Sequence, residues 1–131
     1  MQKELRRKKI IETIWKNGER FQSGLRELLA RHALPATLMG YPPEFTIVFQ
    51  HSSDEVNNIL STLLSQEFAR RNVFWGGVFY VLYTHTASDI RHVLDAADEV
   101  FALAATGLRG GTLKRLLKVQ PKKPLFRRRL V

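Results

Sequence analysis

Between Ile11 and His32 the residues Ile11, Ile14, Trp15, Phe21, Leu25, Leu28, Leu29 and His32 recur at steps close to three and four. That period predicts a long helix with a single apolar stripe. A helix of this kind must bury its stripe against a second layer, so the rest of the chain has to supply one. Gly18 falls on the stripe, where a missing side chain permits close approach of another element; a local kink is the other reading. Leu34-Pro35 ends the helix, because the residue before proline is pushed out of the α region.

Short β-prone runs follow. Thr37 to Met39 and Phe45 to Phe49 read as strands, with Phe45, Ile47 and Phe49 facing one way and Thr46 and Val48 the other. Gly40-Tyr41-Pro42-Pro43 between them is predicted as a turn or irregular crossing, since two prolines remove two ladder donors. A second helix is expected from about Ser53 to Arg71, with Ser52 and Glu55 at capping-box spacing and Val56, Ile59, Leu60, Leu63, Leu64 and Phe68 on its apolar face. Val73-Phe74-Trp75 and Val78 to Thr84 read as two strand segments around Gly76-Gly77. The second is apolar almost throughout and is expected to be a central strand buried on both sides. A third helix starts at Thr86 with Asp89 in the reciprocal capping position, and Gly107 is its expected C-cap. Leu113, Leu116 and Leu117 suggest a short amphipathic turn, and Gly110-Gly111 a flexible joint. Together these elements predict an α+β fold, a two-layer domain with a small, mostly antiparallel sheet covered by helices over residues 1–108, then a basic tail over 109–131.

The net charge of +9 invites a nucleic-acid reading until it is mapped. Nine basic residues, from Arg109 to Arg129, lie beyond the last carboxylate, Glu99; taking them from 21 leaves 12, equal to the 12 acidic residues. Basicity therefore belongs to the tail. Lys122, Lys123 and Arg127-Arg128-Arg129 suit phosphates in general and carry no sequence information. Phe126 is the only tail aromatic, which gives little for bases to stack on. Nucleic acid is thus the weaker expectation for a partner. No apolar run approaches the roughly 20 residues of a membrane span, and the charged start of the chain is no secretory signal. With no cysteine there is no disulfide framework, and a cytoplasmic location is expected.

Catalytic chemistry is sparse. No lysine occurs between Lys16 and Lys114, so an imine-forming lysine in an apolar pocket has no candidate position. His32, His51, His85 and His92 include no pair at i, i+4, and there is no cysteine to complete a metal site. Ser88, Asp89 and His92 read as a solvated helix start with a capping aspartate rather than as a triad. His85 is expected to bond a nearby backbone carbonyl. Gly76-Gly77 lacks the phosphate-loop pattern; it is a structural turn, or a place where a ligand or another domain approaches the backbone between Trp75 and Phe79.

The stretch Ile14 to Leu25, I-W-K-N-G-E-R-F-Q-S-G-L, resembles the helix that opens the C-terminal small domain of class III (fold type I) pyridoxal-phosphate aminotransferases, closest to glutamate-1-semialdehyde aminomutase-like members. His32 to Ala36, Arg71 to Gly77 and the H-T-x-x-D-I junction within Tyr83 to Ile90 are similar to further stretches of that domain, in the same order, over about residues 10–107. Val78-Phe79-Tyr80 departs from the family, which more often has polar residues after the glycines.

The resemblance implies a fragment. In that family the large domain supplies the lysine, the carboxylate facing the pyridine nitrogen and most phosphate contacts. This chain alone is then expected to hold no cofactor, with pyridoxal phosphate in the parent enzyme, and to be non-catalytic alone. It would shape one wall of the substrate cleft, with Tyr41, Trp75, Gly76, Gly77 and Phe79 as candidate cleft-lining residues. Its expected partner is the missing cofactor-binding large domain, or a second copy through self-association. An independent basic nucleic-acid-binding module and a small oligomerisation domain are the alternatives from other classes.

Overall fold

The computed structural model describes residues 2–82 and 85–118. Tyr83, Thr84 and the basic residues from Lys122 to Arg129, with Phe126, lie outside the described residues. The first helix, α1 (Gln2–Arg31), is longer than its apolar stripe. Its buried residues, Gly18, Phe21, Gln22, Leu25, Leu28 and Leu29, all lie in its second half. The charged first half has no continuous stripe to bury, and Leu5 and Ile11 stand exposed there. After Arg31 the chain turns through Ala33 at φ 54°, and Leu34 returns to the core.

Strands β1 (Ala36–Tyr41) and β2 (Glu44–Phe49) form an antiparallel hairpin in register Leu38↔Ile47 and Tyr41↔Glu44. The pairing runs further than the sequence suggested, because Gly40 adopts φ 119° and lets the strand pass Phe45 closely; only Pro42 and Pro43 are left to connect. Strand β3 (Phe79–Tyr80) pairs with β2, giving the order β1-β2-β3.

The apolar run after Gly77 is no central strand: β2 is central and β3 is a two-residue edge. Phe79 and Val81 are buried, whereas Tyr80 is 60% and Leu82 54% exposed, so the run alternates and only one side faces the core. Val73, Phe74 and Trp75 form no strand; they cross irregularly with Phe74 exposed.

Helix α2 (Asp54–Arg70) is capped by Ser53 and not Ser52: the Ser53 hydroxyl accepts from the Val56 amide at 3.3 Å. Helix α3 (Ala87–Gly110) starts with the expected capping box of Thr86 and Asp89. It does not stop at Gly107. Gly107 is buried in the helix with Leu113 and Leu116 packed on it, and Gly111, at φ 67°, is the C-cap in place of a flexible joint. The short α4 (Leu113–Leu116) is the amphipathic turn expected from its leucines.

The result is an α+β domain with two layers. Helices lie on the sheet face that carries Leu38, Phe45 and Ile47, and an aromatic cluster joins the layers. Phe21 sits edge-on to Phe45 and Phe79, with ring centroids 5.3 and 5.1 Å away. Trp75 stacks on Phe79 at 5.7 Å, and Phe68 packs against both. Each fully buried large side chain contributes about 1.5–3 kcal/mol of transfer free energy, so this cluster anchors the otherwise short β3.

Candidate functional site: the uncovered sheet face and its two clefts

Directly paired strand residues point to the same side of a sheet, which fixes what the outer face displays. Tyr41, Glu44 and Tyr80 form one row across β1, β2 and β3, and Met39 and Thr46 begin the next. Met39 is 57% and Tyr41 73% exposed, and Glu44 and Tyr80 are exposed with them. Among the described residues no helix covers this face. Large exposed apolar side chains gathered on one face mark an interaction surface.

The candidate cleft-lining residues divide. Tyr41 borders a shallow cleft of about 300 Å³ together with Trp15, Pro43 and Glu44. Phe79 borders a larger cleft of about 530 Å³ between the 72–82 segment and the start of α3. Trp75 is buried at 5% exposure and belongs to the core. Gly76 and Gly77 have open space where a Cβ would stand, and Gly77, at φ 111°, offers its carbonyl to the Thr46 hydroxyl. The five residues are therefore not gathered in one cavity. Sequence reasoning passed over Glu44, Met39 and Tyr80, because their juxtaposition depends on strand register, which periodicity alone does not give.

The larger cleft has an apolar floor of Phe21, Val73, Phe79 and Ile90 and a polar rim that includes Asn72, His85 and His92. At His85 the expectation is reversed: its Nδ1 accepts from the Leu82 amide at 2.9 Å, so it bonds a backbone N–H and not a carbonyl. Asp89 accepts from the Thr86 amide at 2.8 Å and from its hydroxyl at 3.0 Å. Those bonds hold the Asp89 carboxyl below its ordinary range and commit it to the cap. His32 bonds Asp98 at 2.6 Å, and His51 accepts from the Ser53 amide at 3.0 Å. Among the described residues no group of three side chains is placed to hold a metal ion.

Among the described residues, the lining of these two clefts does not fit pyridoxal phosphate. Neither cleft is lined by a lysine to form the imine or an arginine to pair with the phosphate. The geometry is that of a helix-backed sheet with one face uncovered among the described residues.

No protein-family model matches the sequence, and no curated protein matches it. Solved structures do match in fold. An omega-transaminase from Sphaerobacter thermophilus superposes with a TM-score of 0.66 at 15% identity, over 75% of this chain and 25% of that one. A transaminase with PLP bound gives 0.68 at 16%, over 77% and 25%. The FumI protein of Sphingopyxis sp. MTA144, in its PLP internal aldimine form, gives 0.65 at 20%, over 84% and 24%. The chain thus has the fold of a part of PLP-dependent transaminases and spans about a quarter of their length. No described helix is long and apolar enough to cross a membrane.

Proposed function

We propose that this chain is the small, cleft-shaping domain of a class III aminotransferase- or aminomutase-like protein, without catalytic activity alone. The observation that carries this reading is the fold match to one quarter of transaminase chains by a domain whose clefts hold no lysine. The uncovered face with Met39, Tyr41 and Tyr80 supplies the surface on which a cofactor-binding large domain would pack. The H-T-x-x-D-I junction favours the glutamate-1-semialdehyde aminomutase-like branch; its His85-Thr86 and Asp89-Ile90 positions build the start of α3. In the parent enzyme the cofactor supplies the electron-sink chemistry, and this domain contributes shape and exclusion of water.

The test is an absorbance titration of the chain with pyridoxal phosphate, followed by borohydride trapping and peptide mapping. The expected result is scattered or no labelling, with no single lysine reaching one equivalent. Stoichiometric labelling of one lysine would show a self-contained cofactor site and end the reading.

A further inference from the structure

We propose that the corner formed by Trp15, Tyr41, Glu44 and Tyr80 binds the guanidinium of an arginine side chain carried by a partner polypeptide. Glu44 stands between Tyr41 and Tyr80 in the strand register, on the uncovered face. Neighbouring strands lie about 4.8 Å apart, so an aromatic residue stands beside Glu44 on each neighbouring strand. Trp15, from α1, adds a third ring with its centroid 6.3 Å from that of Tyr41 and tilted by 48°. Trp15, Tyr41, Pro43 and Glu44 surround the cleft of about 300 Å³, and Tyr80 stands beside Glu44 in the strand register.

Charge makes the corner selective. Glu44 meets no cation within 4.0 Å among the described residues, as is also true of Glu4, Glu12, Glu19, Asp54, Asp89 and Asp95; what sets it apart is the aromatic side chains beside it. A carboxylate ringed by aromatic faces attracts a cation twice over, by ion pairing and through the ring quadrupoles. The planar guanidinium suits the place better than an ammonium, because it stacks on a ring while its fork meets the carboxylate. Phosphate-rich partners are repelled by Glu44. A two-fold contact between two such corners would set Glu44 against Glu44, which excludes the same face of a second copy. The corner lies on the face proposed above for the large domain, so it rests on that reading, the arginine being one that domain carries. Its cleft is separate from the larger one at the start of α3, which Tyr80 also lines.

The experiment uses the full 131-residue chain, labelled with nitrogen-15. Acetyl-Gly-Arg-Gly-amide is titrated while the two tryptophan indole N–H signals are followed, Trp15 being assigned through Trp15→Phe. The expected result is saturable movement of the Trp15 signal with Trp75 unmoved. The neutral citrulline peptide and the Glu44→Gln variant should each bind about fivefold more weakly, the size of one partly exposed ion pair with a cation–π contact. Glu44 is exposed, so an unshifted Trp75 signal in Glu44→Gln certifies the fold. A Trp15 signal that does not move, or that moves equally in Glu44→Gln, overturns the site. Agmatine, which carries the same guanidinium, should move the Trp15 signal too; agmatine that leaves it unmoved overturns the site.

Discussion

Gly18 on α1 lies directly against the carbonyl of Pro42 at the tip of the β1-β2 hairpin, so close that any Cβ on Gly18 would overlap that group. The contact holds the hairpin turn against the helix, beside the Trp15–Tyr41 pair. The stripe of α1 placed a glycine at this position, and of its two readings, close approach and kink, the first is what the fold uses.

Gly18→Ala tests that contact. Alanine raises helix propensity by up to about 1 kcal/mol, but overpacking against a backbone carbonyl that cannot rotate away costs about 1–3 kcal/mol. The net expectation is a loss of about 1–2 kcal/mol in urea unfolding. Gly24→Ala is the control. Its Cβ would meet the Leu94 Cδ1 at 2.7 Å, the free end of a side chain able to change rotamer, so its stability should stay near that of the parent.

The two glycines after Trp75 make a second pair of opposites. Both have open space where a Cβ would stand, but only Gly77 occupies a positive φ, at 111°. Gly76→Ala should be neutral within about 0.5 kcal/mol. Gly77→Ala should lose about 1–2 kcal/mol, because the backbone region is closed to residues with a Cβ. Thermal unfolding of the two variants side by side checks this, and equal midpoints would refute the strain at Gly77.

What the sequence made legible was what local chemistry decides. The Thr86–Asp89 capping box needs only residues three apart, and both of its bonds are formed. The run from Val78 misled because its outward residues, Val78, Tyr80 and Leu82, are apolar too, which hides the period of two that a one-sided strand shows. Apolar outward positions are what an interaction face requires, so the error and the candidate site have one cause. Gly107 misled for a related reason: a glycine near a helix end reads as a cap, but this one is small because Leu113 and Leu116 pack back on it. The Tyr41–Glu44–Tyr80 row was out of reach, since it exists only once three strands are in register.

Gln22 is 5% exposed on the inner side of α1, and its Nε2 has no acceptor among the described residues. A buried donor without a partner costs about 1–3 kcal/mol. Gln22→Leu removes the donor at similar volume, and is expected to raise stability by about 1 kcal/mol, or roughly 2–8 °C in the unfolding midpoint. A fall in the midpoint would show that the amide is satisfied in solution.

Glu67 gives the fold its expected pH dependence. It sits on the buried side of α2 at 3% exposure, and its carboxylate accepts from Gln66 at 2.7 Å, Arg71 at 3.0 Å and Arg70 at 3.3 Å. Burial alone would raise its pKa above the ordinary 4.5, but the hydrogen bonds from Gln66, Arg71 and Arg70 outweigh it and the pKa lies lower. A carboxyl with a depressed folded-state pKa contributes stability above its unfolded value and loses it as pH falls through the folded one. Unfolding free energy should therefore decline on acidification below about pH 4.5. Glu67→Gln should be less stable at neutral pH by about 1–2 kcal/mol, below the range for a fully buried pair because Arg70 and Arg71 reach solvent. That difference should shrink as pH falls through the folded-state pKa, where protonation makes the native side chain resemble glutamine. Urea unfolding of both proteins across this range decides the matter: a constant difference would mean that Glu67 acts through shape and not through its charge.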